Sequence, residues 1–313
     1  MNEFFEDVWT GLNTSPKQLS SKYFYDAAGD AIFQEIMASP DYYLTSSEMD
    51  VFANQSNKLA DIAMANLGEF DVVELGAGDC TKSIHLLQEL AGRNIDFTYY
   101  PIDISSNVIS QLERRLPQSV PGLRIIGLNG DYFDMLDQLN EMSSKKKLIL
   151  FLGSSIGNIP FDGTEDFFRA LRSHLLPGDL VLTGFDLKKD PGVILNAYND
   201  KAGITKRFNL NLLHRINNTL DADFDIDQFA HAPVYEEATG ACKSYLVSMK
   251  DQRVRIGEVG WIFFNKGEQI YMEISQKYTA EQVDNISIAS GFRPVHHFYD
   301  SKHWFLDALW QAE

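Results

Sequence analysis

The chain has 313 residues, enough for a large α/β domain or for one such domain plus a smaller companion, and its 44% hydrophobic and 23% charged residues are ordinary for a globular protein. Its 44 acidic and 27 basic residues give a formal net charge of −17. That field disfavours nucleic acid and anionic membrane surfaces, and leaves a small zwitterion or cation acceptable as ligand. Cys80 and Cys242, in unrelated contexts, exclude a disulfide framework or a cysteine-based zinc cluster.

The first residues, Met1–Asp7, are acidic and lack both a basic n-region and an apolar h-region, so a signal peptide is not expected and a cytoplasmic protein is. No apolar run approaches the ~20 residues needed to span a bilayer. Residues 1–60 read as helix and loop, with amphipathic stretches at Ala31–Met37 and Glu48–Ala60. From Phe70 strands and helices alternate: strand Phe70–Leu75, helix Thr81–Leu90, strand Phe97–Ile102, helix Val108–Leu116, strand Leu123–Leu128, helix Phe133–Met142. The near-continuous apolar run Leu148–Leu152 predicts a strand buried on both faces of a parallel sheet. Helix Phe167–Leu175 and strand Asp179–Phe185 complete five β-α units, which argue for a doubly wound parallel sheet.

Beyond Asp186 the rhythm breaks. Lys188–Leu213 reads as helical, and residues 227–278 alternate like an antiparallel sheet, for example over Lys243–Met249, Arg253–Phe264 and Gln269–Tyr278. The chain returns to α/β with helix Ala280–Ala289, strand Arg293–Tyr299 and the strand-like Trp304–Leu309. The expectation is one α/β domain, 46–188 with 279–313, interrupted by a smaller α+β domain, 189–278, which residues 1–45 join.

The first strand ends in Val73-Glu74-Leu75-Gly76-Ala77-Gly78-Asp79-Cys80-Thr81. Gly76 and Gly78 permit a tight turn and close approach of a ligand to the following helix. A dinucleotide fingerprint would carry a third small residue where Thr81 stands, and Glu74 just before the glycines suits a nucleoside bearing a sulfonium. Asp103 closes the second strand roughly 25 residues after the glycines, near the ~20 expected for a ribose-binding carboxylate. Asp131-Tyr132 follows the third strand, where an acid and a ring could hold an adenine. Singly, such acids are ordinary loop residues or helix caps. Three at the carboxyl ends of successive strands point to S-adenosylmethionine rather than a nicotinamide cofactor. The seven histidines form no HExxH or similar pair, and no metal is expected. Ser154-Ser155 lacks the frame of a nucleophile elbow.

The fourth strand runs into Phe151-Leu152-Gly153-Ser154-Ser155-Ile156-Gly157-Asn158-Ile159-Pro160-Phe161. Asn158 offers both a donor and an acceptor to a substrate amine or carboxylate. Together with Lys22-Tyr23-Phe24-Tyr25-Asp26, Tyr42-Tyr43-Leu44-Thr45-Ser46-Ser47-Glu48, Asp186-Leu187-Lys188-Lys189-Asp190, Ala197-Tyr198-Asn199-Asp200, Ala202-Gly203-Ile204-Thr205, Phe208-Asn209 and Glu273-Ile274-Ser275, these residues resemble the histidine-specific N-alpha-methyltransferase family of ergothioneine biosynthesis. The likeness runs from about Pro16 to the C-terminus.

The resemblance implies a class I S-adenosylmethionine-dependent methyltransferase with a Rossmann-like parallel sheet, 46–188 and 279–313 holding the cofactor and 1–45 with 189–278 the substrate. By it, Gly76, Gly78, Lys82, Asp103, Asp131 and Tyr132 contact S-adenosylmethionine. Tyr42, Gly153, Asn158, Tyr198, Glu273 and Ser275 hold the amino acid, Tyr25 closes over it, and Asn158 and Tyr25 serve the chemistry. Glu273 and Ser275, two apart on a strand, share a face, and a carboxylate with a hydroxyl matches the two nitrogens of an imidazole. Where the family's pocket carries a methionine, Ser244 stands, and Leu44 replaces a proline. The implied reaction is methylation of the α-amino group of histidine, to the trimethylated product hercynine, by a monomeric enzyme. The alternatives are an α-amino methyltransferase for an aromatic or indole amino acid, and a catalytically silent Rossmann-like binding module.

Overall fold

The computed structural model describes residues 3–313; Met1 and Asn2, which open the acidic leading segment, lie outside them. Backbone contacts divide the chain into two compact units, one formed by the residues through Tyr43 with Lys189–Gln276, the other by Leu44–Lys188 with Lys277–Glu313.

The larger unit is a doubly wound α/β fold. Its sheet runs Phe292–Tyr299, Phe305–Ala312, Leu180–Asp186, Lys146–Phe151, Phe70–Leu75, Thr98–Asp103, Arg124–Ile125 in spatial order, with Leu128–Asn129 also pairing to Thr98–Asp103. Phe305–Ala312 runs antiparallel to its neighbours Leu180–Asp186 and Phe292–Tyr299, and the remaining pairings are parallel. The chain starts at the centre with Phe70–Leu75, winds outward one way, then resumes on the other side with Lys146–Phe151. That reversal is a topological switch point, where open α/β sheets bind ligands at the carboxyl ends of the strands.

Two apolar cores cover the two faces of this sheet. One gathers Val72, Leu148, Leu150 and Leu182 with the helix residues Phe52, Leu59 and Leu86; the other gathers Val73, Ile149, Phe151 and Val181 with Phe168, Leu171 and Trp310. Neighbouring strand residues go to opposite cores, so Phe70–Leu75 is buried at every position, as a sheet covered on both sides requires. Its helices begin where the sequence offers caps. Ser105 accepts from the Val108 amide at 3.3 Å, and Thr279 with Gln282 forms a reciprocal capping box before Ala280–Ala289.

The strand expected at Leu123–Leu128 is broken into two short pieces. A Cβ at Gly127 would lie 2.2 Å from Ile109 Cγ2, and the Gly127 amide donates to Glu113 Oε1. Helix Ser106–Ser119 presses against the chain there and takes the amide from the ladder.

In the smaller unit, Lys17–Gln18, Gln269–Gln276, Ala241–Ser248 and Phe229–Glu236 form a four-stranded sheet, and Gln252–Ile256 pairs with Gly260–Phe264 in a separate hairpin. The stretch expected as Arg253–Phe264 is thus folded back on itself at Gly257, whose φ is +52°. The helical stretch after Lys188 is two helices, Pro191–Tyr198 and Ile204–Leu220. Asp200 separates them, accepting from the Ile204 and Thr205 amides at 2.8 Å each. A third core, including Phe24, Phe208, Leu212, Leu246, Ile270 and Met272, holds this unit together. No helix among the described residues is long and apolar enough to cross a membrane.

Candidate functional site

In the larger unit, the loops leaving strands Phe70–Leu75, Thr98–Asp103 and Leu128–Asn129, at the switch point and to one side of it, carry the residues expected to bind cofactor. Gly76 and Gly78 both adopt positive φ, +70° and +51°. A Cβ at Gly76 would stand 2.8 Å from the Tyr132 hydroxyl, so the ring of Tyr132 and the bare backbone of Gly76 are in contact. The Gly78 amide donates to Asp103 Oδ2 at 3.2 Å, while Asp103 Oδ1 accepts from the Ser105 amide at 2.9 Å. Asp131 caps helix Tyr132–Met142 through the Phe133 amide at 3.0 Å and stays exposed. Burial, with the charges of Asp103 and Asp131, pushes the Tyr132 hydroxyl up to about 12, so it is a protonated donor at neutral pH. Gly76, Gly78, Asp103, Asp131 and Tyr132 therefore form one neighbourhood.

Their chemistry fits S-adenosylmethionine. Bare glycine backbone beside an aromatic ring admits a flat nucleoside, and partly exposed carboxylates accept from hydroxyl and amino groups.

Glu74 does not face that neighbourhood as its place before the glycines suggested. It is buried, accepts from Tyr99 Oη at 2.5 Å and bonds Ser83. Burial pushes its carboxyl up to about 7 against the relief those bonds provide. Lys82, expected at the cofactor, gives its ammonium to Glu48 Oε2. Burial opposes that ammonium, but the charge of Glu48 and the bond to it outweigh burial and raise its pKa.

Beyond the fourth strand, Gly153 and Ser154 both take left-handed backbone, φ +75° and +55°, and a short 3-10 turn over Ser155–Asn158 follows. The turn is held from beneath: Ser155 Oγ donates to the Leu152 carbonyl at 2.8 Å, and Ser154 Oγ accepts from the Asp186 amide at 3.2 Å. Asn158 is left exposed at its end.

In the smaller unit, Tyr198 Oη donates to Ser275 Oγ at 2.6 Å, and the rings of Tyr42 and Tyr198 meet edge to face, 6.1 Å apart. Glu273 and Ser275 lie on strand Gln269–Gln276, and Glu273 Oε1 accepts from Asn209 Nδ2 at 3.1 Å. Asn209 and Tyr198 come from the two helices preceding that sheet. Ser244 is the register partner of Glu273 on the neighbouring strand and is buried, so their side chains share a face. Tyr25 is 44% exposed and packs edge-on against Phe33 and Phe208 at 5.5 and 5.7 Å. Tyr42, Tyr198, Glu273 and Ser275 are thereby joined or adjacent through a common sheet, with Tyr25 on the separate Phe33–Phe208 cluster. The sequence did not single out the grip of Asn209 on Glu273.

The profile of a family described as histidine-specific methyltransferase, SAM-dependent, matches residues 4–312. The chain belongs to this family. A histidine N-alpha-methyltransferase of Mycobacterium tuberculosis is 33% identical over 94% of this chain and 90% of its own length. Ergothioneine biosynthesis protein 1 of Neurospora crassa is 32% identical over 90% of this chain, which spans 32% of that longer protein. A 4-dimethylallyltryptophan N-methyltransferase of Claviceps fusiformis is 28% identical over 62% of this chain and 56% of its own. As a member of the histidine-specific methyltransferase family, the chain is an S-adenosylmethionine-dependent enzyme with a class I Rossmann-like fold.

Proposed function

We propose that the enzyme methylates the α-amino group of free L-histidine, using the larger unit for S-adenosylmethionine and the smaller one for the amino acid. The observation that carries the substrate reading is the pairing of Glu273 and Ser275 on one strand face, the first gripped by Asn209 and the second by Tyr198. A carboxylate accepts from an imidazole N–H, and a hydroxyl that itself accepts from Tyr198 acts as donor to the other ring nitrogen. That arrangement requires a neutral imidazole with its tautomer selected by Glu273. Kinship to proteins named for histidine N-alpha-methylation supports the same reading.

S-adenosylmethionine supplies an electrophilic methyl group on a sulfonium. Gly76, Gly78, Asp103, Asp131 and Tyr132 bind and orient it. Asn158 would hold the amine of the substrate and orient it for methyl transfer. The proton that the amine gives up on methylation would pass to solvent. Positioning of this kind can supply ~7–11 kcal/mol of the barrier reduction, and no covalent enzyme intermediate is required. Three rounds yield the trimethylated product. The enzyme acts as a cytoplasmic monomer on a free small molecule, a reading that the net charge of −17 supports against nucleic acid.

A second reading is favoured by Ser244, buried opposite Glu273. A short hydroxyl-bearing side chain there leaves room for a larger aromatic or indole amino acid.

The test is Glu273→Ala. The variant is expected to lose histidine turnover while its affinity for S-adenosylmethionine, measured by calorimetry, stays within about twofold of the parent. Normal histidine turnover in the variant would overturn the side-chain assignment.

A further inference from the structure

Glu48, the partner of Lys82 near the start of helix Tyr43–Leu67, and Asp307, in strand Phe305–Ala312, are both fully buried acids. Both belong to the larger unit. Among the described residues neither oxygen of Asp307 meets an N–H or O–H donor. Asp307 lines a small apolar cavity with Val51, Phe52, Leu59 and Leu182. The polar groups nearby are spoken for: Gln55 donates to the Tyr299 carbonyl and Ser56 to the Phe52 carbonyl. What remains beside Asp307 is the carboxyl group of Glu48.

The oxygens of Glu48 are already acceptors. Both receive the Gly153 amide, at 2.8 and 2.9 Å, and Oε2 receives the Lys82 ammonium. A hydrogen bond between the two carboxyls needs one proton, and the donors converging on Glu48 leave that proton to Asp307. Burial, and next the charge of Glu48, drive the Asp307 carboxyl well above its usual range. The neighbouring strand makes room for this contact. A Cβ at Gly184 would stand 2.3 Å from Glu48 Oε1, so only glycine lets the carboxylate sit there.

We propose that Asp307 is a neutral, hydrogen-bond-donating acid whose bond to Glu48 positions the cofactor site. Glu48 ties the Gly153 turn, after one strand flanking the switch point, to Lys82, in the loop after the other. Glu48 and Asp307 are positioning residues and touch neither cofactor nor substrate. Charge balance follows: one carboxylate, one ammonium and one neutral acid share a space that would tolerate a second negative charge poorly. Lys82, on this account, serves the site chiefly as the cation that Glu48 holds. The inference rests on the cofactor assignment and is independent of which amino acid is methylated.

The experiment measures S-adenosylhomocysteine binding by calorimetry, on the full chain without amino acid, for the parent, Asp307→Asn and Asp307→Leu. Asparagine keeps a neutral donor; leucine does not. Asp307→Asn is expected to bind within about twofold of the parent and Asp307→Leu roughly tenfold more weakly, the worth of one hydrogen bond to a charged group. Infrared difference spectra at neutral pH, parent minus Asp307→Asn, cancel the band of partly protonated Glu74 and should leave a protonated-carboxyl band that the variant lacks. Equal weakening of both variants would mean that Asp307 is ionised and would overturn the proposal, as would a folded Asp307→Leu that binds like the parent. Should Asp307→Leu fail to fold, the asparagine variant and the infrared band decide. A band unchanged by Asp307→Asn contradicts the proposal, and its loss with binding retained supports it. Failure of the histidine reading would move none of these quantities.

Discussion

Tyr198 Oη and Ser275 Oγ lie 2.6 Å apart, and this bond fastens the end of helix Pro191–Tyr198 to strand Gln269–Gln276. Both residues are buried, so the hydroxyl pair is shielded from competition with water. The orientation of the Ser275 hydroxyl depends on Tyr198, and so, on the proposed reading, does its use as a donor to histidine.

Tyr198→Phe is therefore expected to raise KM for histidine about tenfold, the cost of one well-placed hydrogen bond of roughly 1–1.5 kcal/mol. Affinity for S-adenosylhomocysteine should stay unchanged. Steady-state kinetics with calorimetry checks this; an equal loss of both affinities would show that Tyr198 acts on folding alone.

The two glycines of the first loop should differ in what they tolerate. An alanine Cβ at Gly76 meets Tyr132 Oη at 2.8 Å and the residue has φ +70°, whereas a Cβ at Gly78 meets nothing closer than 4.0 Å at φ +51°. Gly78→Ala incurs only the left-handed backbone strain of about 1 kcal/mol. Gly76→Ala adds displacement of the Tyr132 ring and should weaken S-adenosylhomocysteine binding by at least about tenfold. Binding isotherms of the two variants decide the order.

The β-α units announced themselves because strands buried on both faces, such as Leu148–Leu152, are almost wholly apolar. Within the antiparallel stretch 227–278 the bounds of strand Phe229–Glu236 were not legible: Pro233 and His231 interrupt its pattern, tolerable because it is an edge strand of its sheet. The grouping of Asp103, Asp131 and Tyr132 beside the glycine loop was legible from their places after successive strands. Glu74 looked like a ligand contact but, two residues from Val72 on the same face of its strand, points into the core that holds Val72 and Tyr99. Asn209 stood among the residues of the resemblance, but its bond to Glu273 was not legible, since an asparagine within an amphipathic stretch reads as surface until a distant strand is brought against it.

His231 supplies a stability test. Its Nε2 is buried with no partner among the described residues, and burial lowers its pKa from 6.5 to about 4. A base whose folded pKa lies below its unfolded value binds its proton more weakly when folded. Its contribution is whole above pH 6.5, declines between about 6.5 and 4, and is level below. The loss across that window reaches about 3 kcal/mol. Denaturant unfolding of His231→Gln should show a correspondingly flatter decline; an identical profile would contradict the assignment.

Glu74 works in the other direction. Its carboxyl rises from 4.5 to about 7 in the fold, so the folded state holds a proton that the unfolded chain has lost. Stability from this group is present below pH 4.5 and falls away as pH rises towards 7. Glu74→Gln keeps an acceptor for Tyr99 and removes the titration. Relative to the parent it should gain about 2 kcal/mol between pH 5 and pH 8. Unfolding free energies at the two pH values test this, and a difference independent of pH would rule it out.

The most direct measurement incubates the purified enzyme with S-adenosylmethionine and a mixture of free amino acids, read by mass spectrometry. The account predicts that histidine alone gains one, two and three methyl groups, with fragmentation placing them on the α-nitrogen. Methylation of tryptophan, tyrosine or another amino acid in its place would keep the fold and the chemistry and contradict the pocket built on Glu273 and Ser275.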